Sequence, residues 1–215
     1  PRSTLFPYTT LFRSFTLWRK ASANHLMKWE SPWGIGYPGW HIECSAMINS
    51  LLGPQIDIHT GGEDNIFPHH ESEIAQSEAA TGKTPFVKYW LHRRHIFVDG
   101  QKMSKSKNNF YTLDDIKKMG FRPLDFRLAV FKSHYRENMN FSPAVLKEAQ
   151  GDLDRVSEIY QLYNLPPLKD STSINAHDQE KLFNFITTQN KLFTDAMNDD
   201  LNTYRAYECW INIFI

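Results

Sequence analysis

The sequence is poor in cysteine, with only Cys44 and Cys209 among 215 residues. Two thiols so far apart argue against a disulfide framework and suit a reducing cytosol. An excess of either charge is missing too, since 24 basic residues balance 24 acidic ones. There is therefore no overall basic field of the kind that announces nucleic acid. A local basic patch would still be enough for an RNA partner. No apolar run approaches the ~20 residues needed to cross a bilayer. The tail Cys209 to Ile215 is apolar but far too short, and no internal repeat occurs. What remains has the composition of an ordinary folded chain, 41% hydrophobic, long enough for one large domain or two small ones.

The spacing of apolar residues and breakers predicts a mixed α/β region followed by helices. Ser31 to Gly39 is a loop dense in Gly and Pro. A helix follows from about Trp40, with Cys44, Met47, Ile48 and Leu51 on one face, and Gly53-Pro54 stops it. Ile56 to His59 alternates as a short strand, and Thr60-Gly-Gly62 turns out of it. Pro68 suits a first helical position, which predicts a helix to Ala80 ended near Gly82. His95 to Val98, the turn pair Asp99-Gly100, and Gln101-Lys102 read as a strand entering a tight turn. Thr112 caps a helix to about Met119, closed by Gly120. Pro123 to Phe131 is a further helix. Ser142-Pro143 opens a long one to about Tyr163. A linker with Pro166-Pro167 leads to a last helix from about Gln179 to Met197.

Thr4 to Ser14 (TLFPYTTLFRS) is identical to one reading frame of a widely used DNA sequencing adapter. Such scars are set aside before fold reasoning. On that reading authentic sequence starts at Phe15 and an N-terminal portion is missing.

Cys44, His69 and Glu73 carry the first chemical signal. The last two are four apart on one predicted helix and share a face. Thiolate, imidazole and carboxylate are all zinc donors. Spacing alone is weak evidence, because a lone Cys on an apolar face is more often core. A His and Glu at this spacing are more often a surface pair. The surrounding words are more specific. Pro38-Gly-Trp-His-Ile-Glu-Cys-Ser-Ala-Met47 and Phe67-Pro-His-His-Glu-Ser-Glu-Ile-Ala-Gln-Ser77 resemble the two zinc-bearing segments of cysteinyl-tRNA synthetases. Asp57-Ile-His-Thr-Gly-Gly-Glu-Asp64 resembles the active-site strand between them. Lys102-Met-Ser-Lys-Ser106 resembles the second signature of class I aminoacyl-tRNA synthetases.

The resemblance covers roughly Phe15 to Thr203, and much follows from it by position. Cys44, His69 and Glu73 are three of four ligands to one zinc ion. The fourth, a cysteine, belongs to the N-terminal region this chain lacks, and Cys209 is in the wrong region to replace it. Trp40 and His59 line the amino-acid pocket. Lys102 and Lys105 act on ATP, with Ser104, Gly61, Gly62 and Asp64 as further ATP contacts and magnesium accompanying the nucleotide. His134-Tyr-Arg136 lies in the segment linking the catalytic domain to helices that face tRNA, where basic residues would meet phosphates. There are departures as well. The family continues its lysine loop with Leu-Gly-Asn, whereas this chain has Lys107-Asn108-Asn109. Proline usually follows Thr203, where this chain has Tyr204. The family's His-Ile-Gly-His word is absent.

The implied architecture is α/β followed by all-α: the C-terminal half of a Rossmann-like class I catalytic domain, a connecting helical segment, and the start of a helical bundle. By residue, 1–14 is artefact, 15–110 the partial catalytic domain with zinc site and lysine loop, 111–142 the connecting segment, and 143–215 the start of the anticodon-side helices. The implied activity is ATP-dependent activation of cysteine and its transfer to tRNA(Cys), by a cytoplasmic enzyme monomeric at full length. The fragment itself is expected to be inactive alone. Zinc explains selectivity, since a pocket discriminates poorly between near-isosteres such as cysteine and serine. A borderline-soft cation that lowers a thiol's pKa binds sulfur far better than an alcohol. Two alternatives stand beside this: a ligase joining cysteine to an amino sugar in mycothiol synthesis, and an inactive module that binds zinc or RNA.

Overall fold

The computed structural model describes residues 16–164 and 175–213. The adapter-like residues 4–14 and the Pro166-Pro167 part of the linker lie outside them. The chain divides into two compact units, Pro1–Arg93 and Arg94–Ile215. Among the described residues no helix is long and apolar enough to cross a membrane.

In the first unit, β1 (Trp18–Lys20) pairs antiparallel with β2 (Gly36–Pro38). Helix α1 (Trp40–Leu51) follows directly. Its predicted apolar face is not a buried one, for Met47 and Leu51 are exposed. The helix packs instead through buried Ser45, whose hydroxyl donates to Gln76 Oε1 at 3.0 Å. Strand β3 (Ile56–Gly62) runs longer than expected. Thr60 to Gly62 does not turn away, because it pairs in parallel with β4 (Val87–Arg93), a strand the sequence reading did not anticipate. The register sets His59 beside Trp90 and Gly61 beside His92. Between the strands runs a crossover, as parallel pairing requires. It comprises a short 3₁₀ turn (Glu63–Asn65), a wide π-type turn (Ile66–His70), and helix α2 (Glu71–Thr81). Helix α2 therefore starts three residues after Pro68. An extended Phe67 (φ −134°, ψ 133°) interrupts the helical backbone there. Gly82, at φ 68°, ends it with the left-handed residue expected.

In the second unit, β5 (Ile96–Val98) pairs antiparallel with β6 (Gln101–Lys102) and parallel with β7 (Met139–Phe141). Asp99 (φ 50°) and Gly100 (φ 72°) make the tight turn that their pairing predicts. Helix α3 (Leu113–Lys118) begins with a full capping box: Asp115 N–H donates to the Thr112 hydroxyl, and Thr112 N–H donates to the Asp115 carboxylate. Helices α4 (Pro123–Phe131) and α5 (Pro143–Tyr163) both start with proline at the first position. Helix α6 spans Ala176–Asn198, and α7 (Thr203–Ile211) lies where no helix was anticipated. The core sits between the small sheet and these helices. Val98, Ile116, Ala129, Met139, Phe141, Leu146 and Ala149 are buried together there.

Candidate functional site

The site in the first unit is built where α1 and α2 pack and where β3 and β4 run side by side. At its centre is Glu73, one turn into α2 and 0% exposed. One carboxylate oxygen, Oε2, lies 2.8 Å from His59 Nε2 on β3. The other, Oε1, lies 2.8 Å from His69 Nε2. That second distance is short, but the alignment is wrong for a hydrogen bond, so Oε1 is buried without a partner. The distance gives proximity; the alignment decides bonding. No lysine or arginine forms an ion pair with this carboxylate among the described residues. A buried carboxyl group flanked by imidazoles, with one oxygen unmatched, is an arrangement a cation would complete.

Cys44 of α1 completes the group. The donor atoms of Cys44, His69 and Glu73 all lie within 4.8 Å of one another. His69 Nδ1 is engaged at 2.7 Å with His41 Nδ1, which leaves Nε2 turned toward Glu73. Such a partner on the far ring nitrogen is what orients a metal-binding imidazole. Burial raises the Cys44 thiol above its ordinary pKa, helped by the Glu73 and Glu43 carboxylates. A bound divalent ion would reverse that by favouring thiolate. The donor set and the orphaned oxygen thus fit zinc.

A stack of rings surrounds this centre. Trp40, 60% exposed, stacks on His69 at 4.3 Å between centroids. Trp90 stacks on His59 at 4.8 Å and lies parallel to His92 at 6.0 Å. His70 is buried among His59, Trp90 and His92, and its Nδ1 lies 2.7 Å from His92 Nε2. Burial lowers the His70 pKa to about 4, with the neighbouring imidazoles adding to the effect. His41 and His92 are lowered by burial as well. His41, His70 and His92 are thus held neutral at pH 7, the form in which imidazole is a ligand. Gly61 is needed for close approach: a Cβ there would come within 2.6 Å of His70 Cε1. A Cβ on Gly62 would meet the Asp64 carboxylate at 2.5 Å.

Of the predicted residues, Cys44, His59, His69 and Glu73 come together, Trp40 caps them through His69, and Gly61 and Gly62 lie on the same strand. Asp64 sits in the 3₁₀ turn just after that strand. Cys209 belongs to α7, in the other unit. The sequence reading missed His41, His70, Trp90 and His92. His41 and His70 adjoin residues it named. Trp90 and His92 lie on β4, whose pairing with β3 no local sequence signal marks.

Lys102, Ser104 and Lys105 form a separate group in the second unit. Lys102 ends β6, and Lys105 opens a 3₁₀ turn through Lys107. The Lys105 ammonium lies 5.5 Å from the Phe110 ring centroid, within cation–π range. Asn108 has φ 57°. The departure from glycine there is therefore accommodated, since asparagine is the residue that best tolerates this conformation after glycine. Farther on, the expected phosphate-facing Arg136 is engaged within the protein. Its Nε lies 2.5 Å from Asp200 Oδ2, while Tyr135 donates to Asp200 Oδ1 at 2.6 Å.

Comparison with known proteins places the chain in a family. The family model of the tRNA synthetases class I (C) catalytic domain matches residues 10–151. Cysteine–tRNA ligase of Chlorobaculum tepidum is 47% identical over 189 residues, 88% of this chain and 36% of the relative. The enzymes of Bacillus velezensis and Bacillus licheniformis are 46% and 49% identical over 93% and 89% of the chain. The chain spans 36–42% of these relatives' length. A crystal structure of a LeuRS–tRNA–LeuAMS ternary complex from Agrobacterium radiobacter K84 shares the fold, with TM-score 0.63 and 14% identity, over 87% of this chain and 29% of its own. The order of α/β elements followed by helices, the packed Cys-His-Glu group and these matches lead to one statement: the chain belongs to the tRNA synthetase class I (C) catalytic-domain family, where its relatives are cysteine–tRNA ligases.

Proposed function

We propose that the complete protein is a cytoplasmic cysteine–tRNA ligase that activates cysteine with ATP and magnesium and transfers it to tRNA(Cys). The observation that carries this reading is the buried Glu73 carboxylate, with one oxygen unmatched and the Cys44 and His69 donors beside it. Cys44, His69 and Glu73 would hold the zinc, with a fourth donor from outside this group. Zinc bound there supplies a soft Lewis acid that prefers a substrate thiolate to an alcohol. His59 holds Glu73 Oε2, so that Oε1 stays available. Trp40 offers an exposed ring face beside His69, against which an amino acid can rest. Gly61, Gly62 and Asp64 would meet the nucleotide.

Adenylation develops negative charge on the departing pyrophosphate, and fixed ammonium groups stabilise it. Lys105 and Lys102, with Ser104 between them, supply that charge in this reading. Among the described residues the ammonium of Lys105 rests near a ring and pairs with no acid, so moving to a phosphate breaks no ion pair there.

Cysteine-dependent exchange of pyrophosphate into ATP tests the proposal on the complete protein. Cysteine should support exchange, serine should not, and a strong chelator should abolish it. Equal exchange with serine would sink the zinc-selectivity account. Lys105→Ala should lower the exchange rate about 100-fold, the usual scale for losing one transition-state charge contact, while cysteine affinity stays the same.

A further inference from the structure

The lysine loop is not held in shape by its lysines. Residues 105 to 108 are exposed, whereas Asn109 is half-buried beneath them. Its carboxamide bridges the two sides of the loop base. Asn109 Oδ1 accepts from Ser104 N–H at 2.8 Å, and its Nδ2 donates to the Lys102 carbonyl at 3.3 Å. Two backbone bonds close the turn above it, Lys107 N–H to Ser104 O at 3.3 Å and Asn108 N–H to Lys105 O at 3.2 Å. Below it, Met103 N–H donates to Ile96 O at 2.9 Å, which ties the loop base to β5. Asn109 is therefore the side chain that joins the exposed lysine turn to the sheet.

We propose that Asn109 is a positioning residue for Lys105, its carboxamide clamping residues 102 and 104 so that the ammonium is presented from a preset backbone. The inference rests on the proposed role of the lysine loop in adenylation. The physical reason is preorganisation: a charge placed before reaction stabilises the transition state without reordering a loop at that moment. Alanine at 109 deletes both bonds, so the loop samples open forms. Asn109 touches no reacting atom and acts only through Lys105.

The test has two arms on the complete protein. In the first, limited trypsin cleavage after Lys102, Lys105 and Lys107 is timed without ligands, as a measure of local opening. Asn109→Ala should be cut about tenfold faster, in keeping with the loss of two modest hydrogen bonds, with an unchanged thermal midpoint. Cleavage at the unsubstituted rate would overturn the clamp. In the second arm, pyrophosphate exchange is measured for Asn109→Ala, Lys105→Ala and the double variant. Asn109→Ala should slow exchange about tenfold with cysteine affinity unchanged, and the double variant should be no slower than Lys105→Ala alone. Losses that multiply would show that Asn109 works independently of Lys105 and overturn the proposal. If the unsubstituted protein shows no cysteine-dependent exchange, the proposed function falls instead, and the cleavage arm alone decides the clamp.

Discussion

Among the described residues two carboxylates are completely buried, Glu73 in the first unit and Asp125 in the second, and they are treated in opposite ways. Asp125 is saturated. It accepts from Arg122 N–H at 2.7 Å and from the guanidinium at 2.9 and 2.7 Å, with Gln150 Nε2 at 3.5 Å. It caps α4 and neutralises its own charge within three residues. Glu73 has two imidazoles, no cationic side chain, and one oxygen without a bond. A buried acid that serves the fold is fully matched; a buried acid left short of a positive partner marks a place for something the chain itself does not supply.

Substitution should separate the two. Glu73→Ala should weaken zinc binding by more than about 100-fold, since even a ligand's outer partners contribute about 10- to 100-fold. Competition with a chromogenic chelator measures this, and the metal-free chain should melt at nearly the same temperature. Asp125→Ala should do the reverse. Losing a helix cap and a charge-assisted pair costs about 2–3 kcal/mol of stability in urea unfolding, with zinc affinity intact. If Asp125→Ala also lost zinc, the contrast would break. His41→Ala removes the 2.7 Å partner behind His69 together with the ring contacts of His41 to Trp40 and His69. A loss of about tenfold in zinc affinity is expected, again from chelator competition.

Acid should give the smallest and most graded difference. The folded pKa of His70 is about 4 against an ordinary 6.5, so between those values the unfolded chain binds a proton the folded chain refuses. Stability of the metal-free first unit should fall as pH drops from about 6.5 toward 4, then level off. In the second unit Asp152 sits below its ordinary 3.8, held there by Lys132 and Tyr207 against the opposing effect of burial. A depressed carboxylate contributes stability above its unfolded pKa and loses it only as pH falls below about 4. Tryptophan fluorescence follows mainly the first unit, where all the tryptophans but Trp210 lie. Its urea midpoint should drop between pH 7 and 5, and His70→Gln should flatten the change.

The same contrast explains what could be read in advance. The second unit is built on local rules. Thr112, Ser142, the N1 prolines and Asp99-Gly100 each act within four residues of themselves, so α3, α4, α5 and the β5–β6 turn were legible. The first unit depends on pairing at a distance. β4 reveals itself only beside β3, and without it Thr60 to Gly62 looked like a turn rather than a strand. Cys44, His69 and Glu73 were named because their surrounding words are specific. His92 was not, because its place beside Gly61 is a property of the ladder and not of its neighbours. Helix α7 escaped notice because its cap is Asn202 after the left-handed pair Asp200 and Leu201, a backbone that residue type does not announce.

The parallel ladder between β3 and β4 sets an unusual tolerance on the segment that joins α2 to β4. Side chains alternate along a strand, so sliding β4 by one residue would swap the faces of Trp90 and His92 while leaving the ladder's hydrogen bonds available. His59 would lose its stacked indole, and His70 its 2.7 Å partner. A single inserted or deleted residue between Gly82 and Phe86 therefore threatens the surroundings of the proposed metal site without touching any donor atom. The length of that connection is therefore as much a part of the site as the side chains it brings into place.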